Sequence, residues 1–418
     1  MNTKLIMQIY VTAVMALCLT VASCGGSDMS IENGEVFNPE DVDSAGSTQD
    51  MPTIKIIKVE NPAKVAARGD LVFKLYCVAH QLCRSMDGGS TFEGLQLPEG
   101  MYSIGRIYLT QNGTLLLASE KGIVENDIVV DVENAICRSV DNGDTFTVEV
   151  LPTREENIID EDFWRKSRVI KERYSSQGFA WFGGQNENTP IYLLEVGGND
   201  NKIRFSKSTD DGLTFSETYT FPSYYGNNYP SNKLIAAADG DNFLLIPNVE
   251  GDLASSNDAT QTFRKIQDGL LLRQSDGIYI SSDIAIEGQN VYVVGVKDIY
   301  NDRTIDRCYL FKSVDGGQTF SEPQLIASLS GGNAKWLVDD LLVHGENIYV
   351  LFSAGGAEIN GTIVPIHIIT SQDGGATFSE PQRITDTESH LQWSSSVIDE
   401  EGNLFIFWTD KSMYEYWD

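Results

Sequence analysis

Ser85-Met86-Asp87-Gly88-Gly89-Ser90-Thr91-Phe92 is the stretch on which the reading of this chain turns. The pattern Ser-x-Asp-x-Gly-x-Thr-Phe recurs at 139–146, 208–215, 313–320 and 371–378. A sixth copy, 256–263, keeps Ser256, Asp258 and Phe263 but has Thr260 at the glycine position. Successive first serines lie 48 to 69 residues apart, room for one four-stranded sheet per repeat. Ser and Asp side chains bond turn backbone that has left the strand ladder. Glycine admits a positive φ. Threonine suits the restart of a strand, and phenylalanine plugs the space beneath the turn. An acid repeated six times suits folding better than one reaction centre. Asp87, Asp141, Asp210, Asp258, Asp315 and Asp373 are therefore read as structural.

Hairpins stand upstream of the turns. Ile107–Leu109 and Thr114–Ala118 flank Asn112-Gly113, and Leu234–Ala238 and Phe243–Ile246 flank Asp239-Gly240. Ile284–Ile286 and Val291–Val294 flank Gly288, and Lys64–Ala67 and Leu71–Tyr76 flank Gly69-Asp70. Further turns fall at His344-Gly345 and Glu401-Gly402, and a less regular pair is Trp181–Gly184 with Ile191–Val196. Apolar segments split by such residues predict β-hairpins. Seven hairpins and six repeat turns predict an all-β propeller of four-stranded antiparallel blades. Seven blades are favoured, with six as the alternative. In the seventh, Met413–Asp418 is expected as the third strand and Thr53–Lys58 as the outer one, removing an exposed seam.

The repeated octapeptide resembles the Asp box, or BNR repeat, of sialidase-like proteins, and the resemblance spans most of residues 52–418. It implies a propeller whose boxes lie away from the ligand face. A sialidase would bring three arginines, a Tyr–Glu nucleophile pair and an acid/base Asp. The nearest match to that family's Tyr-Arg-Ile-Pro segment is Tyr102-Ser103-Ile104-Gly105, with Ser103 in place of the arginine and Arg106 three residues late. Tyr414 and Glu415 are adjacent, so on a strand they would point to opposite faces. The sequence therefore departs from a standard sialidase.

The N-terminus reads as an address. Lys4 precedes an apolar run to Ala22, and Val21-Ala22-Ser23-Cys24-Gly25 resembles a bacterial lipobox. Residues 1–23 are expected to be a lipoprotein signal peptide, and Cys24 the lipidation site. Residues 24–51, rich in Gly, Ser, Asp and Glu, read as a flexible tether. Residues 52–418 form the propeller. The expected location is the cell envelope, with the outer membrane favoured and the lipid as membrane anchor. Export leaves Cys77, Cys83, Cys137 and Cys308 in an oxidising compartment; a Cys77–Cys83 or Cys83–Cys137 disulfide and free buried thiols are all open.

A net charge of −30, from 30 Lys+Arg against 60 Asp+Glu, argues against nucleic acid as a partner. The four histidines are scattered, so no metal site or cofactor is expected; structural calcium is compatible with the acidic composition. Catalytic candidates are Asp131, near Asp127 and Glu133, and the pair Asp339 and Asp340, where like charges would raise one pKa. Solvated or capping roles are the bland alternatives. Ligand-binding candidates are Arg106 and the tryptophans 181, 336 and 393 (Trp181, Trp336, Trp393), whose broad rings suit stacking on sugars. The functional expectation is a glycan-directed envelope propeller, a glycoside hydrolase if two carboxylates converge. Non-catalytic glycan binding and a protein-binding scaffold are the alternatives.

Overall fold

The computed structural model describes residues 53–59, 63–76, 81–125, 128–151, 179–183, 190–196, 202–222, 235–246, 253–258, 264–267, 277–299, 305–330, 335–355, 366–385 and 393–409. The signal and tether, Cys24, Cys77, Asp127, Tyr414 and Glu415 lie outside them.

The described residues form strands and turns only. A first strand, β1 (Ile54–Lys58), precedes six four-stranded antiparallel sheets. The first is β2–β5 (Ala63–Arg68, Leu71–Tyr76, Leu82–Ser85, Glu93–Gly94), and the second β6–β9 (Met101–Leu109, Leu115–Glu125, Ile128–Ser139, Thr147–Val150). The third is β10–β13 (Phe179–Gly183, Ile191–Val196, Lys202–Ser208, Ser216–Pro222). The fourth is β14–β17 (Ile235–Asp239, Asn242–Ile246, Leu253–Ser256, Arg264–Gln267). The fifth is β18–β21 (Gly277–Glu287, Asn290–Ile299, Ile305–Ser313, Gln324–Ser330), and the sixth β22–β25 (Lys335–His344, Asn347–Gly355, His367–Ser371, Gln382–Arg383). The last hairpin, β26 (Trp393–Ile398) and β27 (Leu404–Thr409), takes β1 as its third strand.

The first strands form a ring. β2, β6, β10, β14, β18, β22 and β26 each pack against the next, and β26 returns to β2. The architecture is a β-propeller with six complete four-stranded blades, one per repeat turn, and a three-stranded closing sheet.

Period-two alternation builds the core between sheets. In β7, Leu115 and Leu117 face Phe73 and Leu75 of the first blade, while Leu116 and Ala118 face Ile191 and Leu193 of the third. A strand buried on both faces needs a continuous apolar run, and Leu115-Leu116-Leu117-Ala118 is one. Tyr192 and Phe205 pack edge-on against Phe243 between the third and fourth blades, with centroids 5.5 and 5.0 Å apart. Val72 of the first blade meets Phe405 and Phe407 of the closing sheet, completing the circuit. Each fully buried side chain of this size contributes about 1.5–3 kcal/mol.

Among the described residues the four-stranded blades number six, the alternative reading rather than the favoured seven, and the closing seam is also corrected. Thr53–Lys58 was expected outside a third strand formed by Met413–Asp418. Instead β1 lies directly against β27 and parallel to it, pairing Ile54 with Leu404 through Lys58 with Trp408. All six residues of β27 are buried, so it needs an apolar neighbour, and Ile54 and Ile56 pack into that cluster. Met413–Asp418 lies outside the described residues.

Of the cysteine readings left open by the sequence, the Cys83–Cys137 disulfide is not formed. Cys137 is a buried free thiol 3.6 Å from Ser119 Oγ, and Cys308 is likewise buried and free. Burial raises the pKa of both, which leaves them neutral core groups rather than nucleophiles.

Candidate functional site

The repeat turns have the same internal wiring. In the second, Ser139 Oγ donates to Asp141 Oδ1 (2.7 Å) and accepts from Gly143 N–H (2.8 Å). Asp141 then accepts from Thr145 N–H (2.9 Å) and Thr145 Oγ–H (2.6 Å). The turns at Asp87, Asp210, Asp315 and Asp373 repeat this arrangement. In the sixth copy Ser256 Oγ donates to Asp258 Oδ1 (2.7 Å). These hydrogen bonds hold the carboxyls of Asp87, Asp141, Asp315 and Asp373 down at about 2; for Asp87 the Ser85 hydroxyl dominates, for the others the threonine hydroxyl. An acid so committed is a poor proton donor near neutral pH.

Three of the turns are also linked to the next blade, the residue before the turn serine reaching that blade's repeat turn. Arg84 Nη1 donates to Asn142 O (2.8 Å), Arg138 Nε to Asp211 O (3.0 Å) and Lys312 Nζ to Gly374 O (2.7 Å). Each acceptor is the fourth turn residue, where φ is positive: 58° at Asn142 and Asp211, 64° at Gly374. Asn, Asp and Gly are the residues that tolerate this conformation.

The opposite end of the sheets is where chemistry remains unassigned. Counting from the residue paired with each turn serine, six inner-strand positions share one register level. They are Lys64, Arg106, Ala180, Ile235, Asp283 and Asp340, opposite Leu75, Ala118, Leu194, Ile246, Val294 and Leu351. The level is polarised: two cationic residues on adjacent blades, two acidic residues on adjacent blades across the ring. Inner strands are sheet edges with open backbone donors. Asp283 Oδ2 accepts from Leu341 N–H (3.0 Å) on the next blade. Asp340 Oδ2 accepts from Ser396 N–H (3.2 Å) and Ser396 Oγ–H (2.6 Å).

The sequence candidates separate in space. Asp339 occupies the bulge of β22 beside Asp340. Asp131 lies on β8, a third strand of another blade, opposite Ile123. Its hairpin with β7 runs past Met101, where β6 begins pairing. Arg106 follows a bulge in β6. Trp393 opens β26, Trp336 is second in β22, and Trp181 is central in β10. Sequence reasoning missed Lys64 and Asp283; their common level is visible only once strand pairing is known. Among the described residues no three His, Cys, Asp or Glu side chains converge as a metal site would require.

No family model and no curated protein sequence matches the chain. Among solved structures it is similar to YCF48 bound to a D1 peptide, at 13% identity and TM-score 0.39, over 69% of this chain and 73% of that one. It is similar to a GH74 enzyme from Niastella koreensis at 14% identity and TM-score 0.48, over 84% of this chain and 54% of that one. The chain thus spans about half the length of that enzyme. It is also similar to a polysaccharide lyase of family PL25, an ulvan lyase bound to a GlcA–Rha3S unit, at 15% identity and TM-score 0.47, over 82% and 86% of the two chains. Likenesses at this level assign no ligand or activity to this chain.

Proposed function

We propose that the chain is a lipid-anchored cell-envelope propeller that binds a glycan at the end of its blades opposite the repeat turns. The observation that carries this reading is the register level bearing Lys64, Arg106, Asp283 and Asp340, with Trp336 and Trp393 on inner strands beyond it, farther from the repeat turns. Tryptophan rings stack on the apolar faces of sugars, while charged and amide groups fix their hydroxyls. Export and anchoring through Cys24 rest on the signal-like N-terminus.

Binding without turnover is favoured over hydrolysis. A glycosidase needs two carboxyls roughly 5–9.5 Å apart with free access to the scissile bond. Asp340 is tied to Ser396, Asp283 to Leu341, and the turn aspartates to their own serines and threonines. Each tie holds the acid in place as a blade-to-blade or within-turn acceptor.

The test is a glycan array probed with the mature soluble domain, run beside an assay for new reducing ends and unsaturated sugars on the same glycans. Retention of one glycan class without cleavage supports binding. Retention with cleavage makes the protein an enzyme, and the absence of any glycan retention overturns the glycan reading.

A further inference from the structure

The chain enters the ring on a defined face. β1 runs parallel to β27, so it begins beside the turn at 399–403. Thr53 N–H donates to Asn403 Oδ1 (3.3 Å) and Leu404 N–H to Thr53 O (2.9 Å). That turn shares a face with the repeat turns. In the first, fifth and sixth blades the repeat turn bonds its own inner-hairpin turn: Gly88 N–H to Asp70 O, Gly316 N–H to Gln289 O and Gly374 N–H to Glu346 O, each 2.9 Å. The first blade's inner hairpin is in turn tied to the 399–403 turn, because Glu400 pairs with Arg68 at 3.0 Å. Residue 53, where the described chain begins, therefore sits on the repeat-turn face.

That face also carries exposed apolar tips. Met86, Val140 and Val314 hold the second position of their turns at 57%, 64% and 68% exposure, and Leu213 the sixth position of its turn at 58%. Nothing inside the blade requires an apolar residue there, and other copies have Thr209, Asn257 and Gln372 at the second position.

We propose that the repeat-turn face is the membrane-proximal surface of the anchored protein, with Met86, Val140, Leu213 and Val314 resting in the headgroup layer of a zwitterionic bilayer. The inference rests on the reading of Cys24 as the lipidation site. The segment leading from Cys24 joins the ring at residue 53, on the face that carries these apolar tips. Apolar tips insert shallowly without needing basic neighbours. An anionic surface is disfavoured by the repeated turn aspartates and the net charge of −30. The level of Lys64, Arg106, Asp283 and Asp340 then lies where a polymeric glycan has access, farther from the bilayer than the repeat turns.

The full-length lipidated protein, reconstituted into phosphatidylethanolamine–phosphatidylcholine vesicles, provides the test. A small fluorescent side chain is placed at position 314 in one preparation and at position 123, near the far end of β7, in another. A headgroup-attached quencher is then titrated, and mass spectrometry reports acylation of Cys24. The expected result is acylated protein with quenching at 314 about twofold or more above that at 123. Acylated protein with equal or stronger quenching at 123 overturns the orientation and leaves the anchor intact. Protein lacking acyl chains on Cys24 overturns the anchoring reading, and the orientation with it.

Discussion

At the scale of the residue, the turn glycines and aspartates are the most constrained positions. Gly143 has φ 88°, and a Cβ there would lie 2.6 Å from Leu95 Cδ1 of the preceding blade. Gly69 has φ 57° but open space around its would-be Cβ. Gly143→Ala is therefore expected to cost about 2–4 kcal/mol, combining backbone strain with overpacking, and Gly69→Ala only about 1 kcal/mol. Thermal unfolding of the two variants side by side checks the difference. The aspartates give a pH signature. Their folded pKa values near 2 lie below the ordinary carboxylate value of about 4. A depressed carboxylate stabilises the fold fully above its unfolded pKa and loses that contribution as pH falls through the folded one. Stability should accordingly drop between about pH 4 and pH 2, and Asp141→Asn should flatten one step of that loss. Denaturant midpoints across this range measure it. The wiring of these turns was legible in the sequence, because the octapeptide itself names donor, acceptor and positive-φ sites. The reach of Arg138 to the next blade was not, since nothing local marks its partner 73 residues away.

At the scale of the element, the closing strand and the blade-to-blade ties decide cohesion. Arg138 is partly buried and bonds both the carbonyl and carboxylate of Asp211. Arg138→Ala should cost about 1 kcal/mol, seen as a lower melting temperature. β1 is a larger lever. Ile56 packs into the cluster of Leu404, Ile406 and Trp408. An Ile56→Asp substitution buries a charge at that seam and should destabilise by about 3 kcal/mol or more. Limited proteolysis should then cut between β1 and β2 before any cut within the blades; cuts within the blades first would argue against ring closure through β1. The hairpins were readable from alternation and turn residues. The position and direction of β1 were not, because a short apolar run pairs equally well on either side and in either direction. Only the fully buried β27 and the entry at residue 53 select the parallel third place.

At the scale of the whole molecule, a ring of blades gathers residues that are far apart in the chain. Lys64 and Asp340 share a register level across 276 positions of sequence, which no local pattern announces. That is why the architecture could be read from one repeated turn while the site could not. The two separate catalytic candidates, Asp131 and the pair Asp339 and Asp340, lie on different blades, with Asp340 hydrogen-bonded to Ser396. Trp336 and Trp393 instead open two separate hairpins at the end away from the repeat turns, while Trp181 lies nearer those turns. The most direct measurement is calorimetric titration of the domain with its retained glycan, comparing Trp393→Ala with Val314→Ser. The account predicts a dissociation constant raised about tenfold or more for Trp393→Ala and unchanged for Val314→Ser. Weakening confined to Val314→Ser would place the glycan on the repeat-turn face and contradict it.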